Sequence, residues 1–214
     1  MPLYPPSGGG AAGALLIANN LRELAAVPGA ARTNLGLGGG AQQSAGTPTG
    51  ALAEVLPAGA CAMSGGSVLT AGVLILNLVR PVGPITVTNI GIWLTTAGVT
   101  SSGANGLALY TEAGVLIDQT ADLSTAFAAG TGYTEAPLSL GTQNLAANTT
   151  YYVGVLSHFS GTVPKAAAAV AGQAIPVIKG HYVSLTKSSM ASFPSSFTPS
   201  SLSISTATYY MALT

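Results

Sequence analysis

The chain has 214 residues, of which 48% are hydrophobic and only 6% are charged, and its six basic and six acidic side chains give a formal net charge of zero. This balance argues against a nucleic-acid-binding protein, which needs a basic surface to displace counterions, and against a membrane-surface protein held by polybasic attraction. The length allows one large or two small domains with a real hydrophobic core.

The apolar residues are too scattered to predict a membrane span. The longest apolar candidate, Ala166–Ile178, is too short to cross a bilayer and is interrupted by glycine, glutamine and proline. The short apolar run Ala14–Ala18 has no basic region before it, so it does not resemble a signal peptide. The single cysteine, Cys61, has apolar neighbours and is expected to be an inert buried thiol. We therefore expect a soluble protein that is made in a cytoplasm.

The first residues, Met1–Gly13, are rich in proline and glycine, and such a segment is not expected to form regular structure in isolation. Its bulky contact groups are Leu3, Tyr4 and Pro5. We assign residues 1–18 to an arm that attaches the protein to a larger assembly, with these three residues as the predicted anchor.

The clearest helix signal of the chain lies in Asn19–Gly40. Asn20 and Glu23 have the spacing of an N-cap and its capping-box partner, and Pro28 with Gly29 ends the first short helix. Two short helical turns with so few apolar residues cannot be stable alone in water. Copies of this segment from sister chains could cover the exposed apolar side chains, which are those of Leu21, Leu24 and Leu35.

The same segment, read as NNL, then EL, then ARTNLGLG, resembles a segment found in many bacteriophage tail-fibre and other virion fibre proteins. In that family it usually links an attachment region to a trimeric shaft or head. The resemblance implies a homotrimer that is joined through residues 19–40. The implied trimer contacts are Leu21, Leu24, Arg32, Asn34 and Leu35. The chain departs from the family pattern at Pro28 and Gly29, which interrupt the helix; a helical linker of an unrelated protein is the alternative interpretation.

Residues 41–65 are rich in glycine, alanine, serine and threonine and are interpreted as a linker. The preceding Gly38–Gly40 run is not a phosphate-binding loop, because no strand leads into it and no Lys-Ser/Thr pair follows.

From residue 66 the pattern becomes that of β-strands. Val68–Arg80 is predicted as one buried strand, and Glu112–Gly114 as the turn of a hairpin. In Ile85–Thr96 the apolar positions change parity, which predicts a bulge near Asn89–Gly91. Asp122–Gly132 is predicted as a loop with one helical turn. The remaining predicted strands are Leu107–Tyr110, Val115–Asp118, Pro137–Leu140, Thr150–His158, Ile175–Ile178, His181–Thr186 and Ala207–Leu213. About nine short strands with Gly, Pro and Asn turns are typical of a sandwich or barrel.

Two stretches, Gly106–Asp118 and Asn144–Ser157, resemble the jelly-roll modules at the tips of phage fibres. The resemblance implies a trimeric jelly-roll head. The predicted fold is therefore mainly β: a jelly-roll-like β-sandwich at residues 66–214, preceded by an extended arm and a short helical segment.

The sequence holds no catalytic motif, metal-ligand spacing or cofactor signature. Nothing near either of its two histidines, His158 and His181, forms a ligand set. Four of its acids are predicted to be scattered over loops without clustered spacing; these are Glu112, Asp118, Asp122 and Glu135. Two carboxylates that are distant in sequence could still lie close together in the fold and cleave a glycan, so a depolymerase is a distant third interpretation. We expect a protein that is not an enzyme.

Aromatic side chains are mostly predicted to be core residues of strands. Trp93 shares its strand parity with Gly91 and is expected to face the inter-subunit side. Tyr133, His158 and Phe159 are predicted at loop edges and are the candidate contacts for a sugar or another receptor group, although packing is the commoner role of such residues.

Two functions remain from these observations. The first is a trimeric tail fibre or receptor-binding component of a phage virion, whose head touches a glycan or protein of the host surface. The second is a capsid decoration or head-fibre protein that is anchored on the shell by its N-terminal arm. In both, the expected partners are two sister chains and other virion proteins of the tail tip or capsid.

Overall fold

The computed structural model describes residues 50–55, 62–101, 104–170, 177–178, 181–182, 184–205 and 207–214. The chain divides into two compact units, Met1–Ser44 and Ala45–Thr214, and all described residues belong to the second. The predicted anchor and trimer contacts lie outside the described residues, as does Cys61; these predictions concern Leu3, Tyr4, Pro5, Leu21, Leu24, Arg32, Asn34 and Leu35.

The described part of the chain is built mainly from short strands. The strands are β1 (Ala53–Glu54), β2 (Ala62–Val68), β3 (Leu74–Val79), β4 (Ile85–Val87), β5 (Asn89–Thr96), β6 (Gly106–Thr111), β7 (Leu116–Gln119), β8 (Gly132–Pro137), β9 (Gln143–Leu145), β10 (Tyr151–Leu156), β11 (Lys165–Val170), β12 (Val177–Ile178), β13 (His181–Tyr182), β14 (Ser184–Lys187), β15 (Ser203–Ile204), β16 (Ala207–Tyr209) and β17 (Met211–Leu213). A short helix, α1 (Ser124–Ala129), and a 3₁₀ turn (Pro199–Ser201) interrupt them.

Two larger antiparallel sheets contain most of these strands. The first sheet has the order β1-β17-β5-β11-β16, with β2 paired to β11 and β8 paired to β5. The second sheet has the order β15-β14-β3-β10-β6-β7. Two small sheets, β12-β13 and β4-β9, complete the architecture. The prediction of a mainly β protein is confirmed, and the arrangement is compatible with a β-sandwich.

The hydrophobic core lies where the two larger sheets face each other. Alternate residues of both sheets enter one buried cluster, including Ile90 and Ile92 from β5 and Leu107 and Leu109 from β6. Each such side chain contributes about 1.5–3 kcal/mol by leaving water. The sequence pattern predicts seven core residues of one β-sandwich, namely Val73, Ile75, Leu76, Ile92, Leu109, Val153 and Val155. Five of them are buried in this cluster: Ile75, Ile92, Leu109, Val153 and Val155.

The other face of the second sheet is also buried, which explains its nearly continuous apolar strands. Every residue of β3 and β10 is buried. The segment between β14 and β15 supplies part of the cover, because Phe197 packs edge-on against Tyr110 with ring centroids 4.9 Å apart. Leu76 belongs to this second cluster and not to the inner core, whereas Val73 is only half-buried.

The change of parity in Ile85–Thr96 occurs at Thr88 and Asn89, where two residues oppose the single residue Thr214, so a bulge lies next to the predicted position near Asn89–Gly91. The chain leaves β4 at Val87 and enters β5 at Asn89, so the strand changes its partners at Thr88. The backbone N–H groups of Thr88 and Asn89 both donate to the carbonyl of Thr214, at 2.7 and 2.9 Å. Val87 and Ile90 can therefore both be buried in the inner core although their parities differ.

The prediction of a single strand over Val68–Arg80 is wrong. The strand β2 ends at Val68 and β3 begins at Leu74, because Gly72 turns the chain with a φ of +66° that disfavours other residues. The first sheet also includes β1 and residues 62–65 of β2, which lie in the range assigned to the linker.

The hairpin prediction is confirmed. The strands β6 and β7 pair around Glu112–Gly114, and the Gly114 N–H donates to the carbonyl of Thr111 at 2.9 Å. The helical turn predicted within Asp122–Gly132 is present as α1.

Candidate functional site

Tyr133 lies within strand β8 and not at a loop edge. It is directly opposite Trp93 of β5, and the two rings are tilted by 43° with centroids 6.4 Å apart. Both rings are half-buried and pack with Tyr210, Ala167 and Ala212 on the face of the first sheet that points away from the inner core. Trp93 thus faces away from the inner core.

Four residues that are paired across the first sheet determine the space available to the Tyr133 ring. Glu54, Ala212, Gly91 and Glu135 follow one another across β1, β17, β5 and β8. The Tyr133 ring lies over Gly91, where an added methyl group would overlap the phenol. Small residues in the middle of the row therefore make room for the aromatic ring.

The hydroxyl of Tyr133 is buried beside the carboxylate of Glu135. Its burial raises the pKa of Tyr133 well above the ordinary value of 10, and the carboxylates of Glu135 and Glu54 raise this pKa further. The neighbouring Tyr210 hydroxyl donates to Glu54 Oε1 at 2.6 Å. The phenol of Tyr133 is therefore neutral and held by packing, with its ring only partly open to a ligand.

His158 and Phe159 lie in different surroundings, next to the buried Asn105. Asn105 is only 1% exposed, and its Oδ1 accepts a hydrogen bond from the His158 backbone N–H at 2.6 Å. Its Nδ2 donates to the carbonyl of Ser101 and to Ser124 Oγ, at 3.1 and 2.9 Å. This one amide connects the three loops that follow β5, β7 and β10.

Asp122 and Phe159 complete the same loop cluster. Asp122 Oδ1 accepts hydrogen bonds from the Asn105 N–H and from Ser124 Oγ. Phe159 forms an isolated β-bridge with Thr100, and the His158 ring nitrogen Nε2 is buried without a partner. The structure thus groups His158 with Phe159, whereas Tyr133 belongs to the cluster around Trp93. Asn105 was not recognised from the sequence, because a lone asparagine in a Ser/Gly-rich loop carries no pattern.

The prediction that the acids are scattered over loops is wrong for Asp118 and Glu135, which lie in β7 and β8. Asp118 is 2% exposed and accepts hydrogen bonds from the N–H groups of Gln119 and Leu140 and from Gln143 Nε2, at 2.7, 3.0 and 3.2 Å. Three donors satisfy this buried carboxylate and connect the β7 edge to the turn before β9. Within the described ranges, no three His, Cys, Asp or Glu residues are close enough to hold a metal ion.

An open groove of about 310 Å³ lies between the edges of the two larger sheets. One side is the end of β2 and the other is formed by β14 and β15. Its apolar floor includes Ile75, Ala207 and Tyr209, which are all buried. The lining residues are Ser67, Val68, Thr70, Val73, Ile75, Thr186, Ile204, Ser205, Ala207 and Tyr209.

The groove is lined by both hydroxyl-bearing and apolar residues, and none of the described lining residues is an acid, lysine, arginine or histidine. Burial raises the pKa of Tyr209 to about 12, so its phenol stays protonated and donates to the carbonyl of Val68 at 2.6 Å. Val68 and Ile204 remain about half exposed, at 50% and 48%, on the two sides of the groove. The groove is thus a neutral surface that can make hydrogen bonds.

None of the sequence-predicted contacts Tyr133, His158 and Phe159 lines the groove. Its residues come from three separate stretches of the chain, which only the pairing of the strands brings together. No protein-family model matches this chain, and no curated protein sequence is significantly similar to it. No helix in the described ranges is long and apolar enough to cross a membrane.

Proposed function

We propose that this chain is a structural protein of a bacteriophage virion, and specifically a homotrimeric tail fibre or receptor-binding component. The observation that carries the proposal is the segment NNL…ARTNLGLG at residues 19–38, which resembles virion fibre proteins and stands before a unit that is mainly β. In this proposal the arm of residues 1–18 attaches to another virion protein and the head is a jelly roll that faces the host.

The lack of charge supports an adhesive role in a trimer. With zero net charge, the head would approach a cell without long-range steering, so its binding would depend on short-range contacts. Three heads on one fibre let contacts that are individually weak act together, since the second and third contacts form at high effective concentration. A shallow, uncharged groove is sufficient for such binding.

The paucity of charge also supports the trimer itself. A surface of Ser, Thr, Asn, Gly and Ala with no net charge resists non-specific association poorly. Burying part of that surface between subunits removes this liability. The helical segment predicted from the sequence of residues 19–40 would need the same partners, because two short turns with so few apolar residues are not stable alone in water.

The molar mass of the purified full chain, measured by light scattering, tests the assembly. We expect three times the mass of one chain. Replacing Leu21 and Leu24 together by aspartate should shift the mass towards that of a monomer, because it places charges in the proposed contact. The matched control Leu140→Asp changes a leucine that is 77% exposed and should leave the trimer intact. A stable monomer of the unchanged chain at micromolar concentration would contradict the proposal.

Immunogold labelling of virions tests the location. Gold particles at the tail tip would support the receptor-binding role. Labelling spread over the capsid would instead favour a head-fibre or decoration protein with the same trimeric architecture.

A further inference from the structure

We propose that the groove between β2 and β15 is a binding site for an uncharged, hydroxyl-rich ligand, namely a neutral monosaccharide or disaccharide unit. Its biological use as a cell-surface contact rests on the proposed function, but the binding chemistry does not. The volume of about 310 Å³ is at the lower end of the range of small-molecule sites.

The arrangement of the walls and floor matches the two kinds of surface that a sugar presents. Ile75, Ala207 and the Tyr209 ring offer an apolar floor for the C–H groups of a sugar ring. Ser67, Thr70 and Thr186 place hydroxyl groups around that floor. Each hydroxyl can donate one hydrogen bond and accept others, as the hydroxyl groups of a sugar require.

Two of these hydroxyls are available for a ligand. Ser67 and Thr70 are at least partly exposed, and neither side chain hydrogen-bonds to another described residue. Among the described residues, the Thr186 hydroxyl donates to the carbonyl of Ser203 over a long distance of 3.4 Å. By contrast, Ser205 Oγ already donates to the carbonyl of Ala207 at 2.7 Å, so it shapes the wall and keeps some capacity to accept.

The described lining of the groove has no charged side chain, which favours a neutral ligand over an acidic one. Lys165, which pairs with Val68, and Lys187, which follows Thr186 in β14, do not line the groove. Thr186 pairs with Ile75 and lines the groove, so its neighbour Lys187 belongs to the opposite face of the second sheet. An anionic sugar would find no described cation in the lining, and desolvating its carboxylate there would be unfavourable.

Methyl NMR of the full chain tests the site with defined probes. Glucose, galactose and N-acetylglucosamine are titrated separately, with N-acetylneuraminic acid as the acidic comparison. We expect at least one neutral sugar to shift the methyl signals of Val73, Ile75 and Ala207 saturably, while the distant exposed Val82 stays unchanged. A larger response to the acidic sugar would overturn the choice of ligand class.

Two variants test whether the shifted methyl signals report binding in the groove. Thr70→Val removes one hydroxyl at nearly constant shape and should weaken binding about fivefold, the effect of one net hydrogen bond. Thr186→Trp places a large ring beside Ile75 on the groove floor and should abolish binding. The matched control Thr142→Val changes an exposed threonine in the turn that packs near β7, at the opposite edge of the second sheet, and should bind normally.

The possible results of these experiments test the groove proposal independently of the proposed function. No saturable shift with any neutral sugar, or normal binding by Thr186→Trp, would overturn the groove proposal, even if the full chain attaches to cells. Sugar binding at the groove in a chain that never attaches to cells would support the site and contradict the receptor role.

Discussion

Tyr209 donates its phenolic hydrogen to the carbonyl of Val68 at 2.6 Å and thereby connects β16 to the last residue of β2. Both strands pair with β11, so the bond joins two neighbours of the same strand. Since Val68 and Tyr209 also line the groove, this bond fixes the end of β2 in the position that defines the groove wall.

Removing this hydroxyl should destabilise the protein. We expect Tyr209→Phe to lower the free energy of unfolding by about 1–2 kcal/mol, because a nearly buried hydrogen bond is lost. Tyr110→Phe is the matched control, since Tyr110 is fully buried and its hydroxyl has no partner. Removing an unsatisfied hydroxyl should leave stability unchanged or raise it. Urea unfolding of both variants measures the difference; a larger loss for Tyr110→Phe would contradict the hydrogen-bond assignment.

A charge in the inner core should prevent folding. Val153 is 0% exposed in the middle of β10, so Val153→Asp buries a carboxylate without a partner, at a cost of several kcal/mol. Val82 is 89% exposed, and Val82→Asp should fold normally. Solubility and resistance to a protease report the outcome. A soluble, protease-resistant Val153→Asp protein would show that the register of β10 is wrong.

The hairpin turn between β6 and β7 depends on Gly114. Its φ is +82°, and an added methyl group would lie 2.8 Å from the Phe197 ring as well as against the Phe197 carbonyl. Gly141 has a similar φ of +91° with no atom nearby. We expect Gly141→Ala to cost about 1 kcal/mol from backbone strain alone and Gly114→Ala to cost more than ~2 kcal/mol. Equal losses in thermal unfolding would show that Phe197 does not pack on the turn.

Stability should fall in alkaline solution because several tyrosines are buried. The pKa of Tyr209 is raised by burial from 10.0 to about 12, and burial also raises the pKa values of Tyr110 and Tyr133. Between pH 10 and these values the folded state holds more protons than the unfolded state, so the free energy of unfolding decreases as the pH rises.

Denaturant unfolding at a series of pH values, together with phenolate absorbance, measures this loss. Tyr209→Phe should show a shallower decline above pH 10 than the unchanged chain. If all eight tyrosines ionised near their ordinary pKa while the protein stayed folded, the assigned burial would be contradicted.

The sequence patterns predicted strands where large apolar residues alternate or run together. The hairpin β6-β7 and the strand β10 follow directly from such patterns. By contrast, β2, β8 and β11 were missed because they consist largely of alanine, glycine and polar residues. Such strands form because neighbouring strands provide hydrogen bonds and cover, and these partners are distant in sequence.

The candidate sites, too, could be predicted only in part from the sequence. His158 and Phe159 could be singled out as polar and aromatic residues next to a strand end, but the sequence does not indicate that Asn105 holds them. The groove is less predictable still, because serines and threonines are frequent throughout the chain. Which hydroxyls converge depends on the pairing of β2 with β11 and of β14 with β15.

Attachment of the labelled full chain to host bacteria at low and high ionic strength tests the central claim most directly. The account predicts binding that saturates and changes little with salt, because the chain has zero net charge and the groove lining has no charged side chain. Absence of cell binding, with the labelled chain instead docking on empty capsids, would contradict the receptor role and identify a capsid decoration.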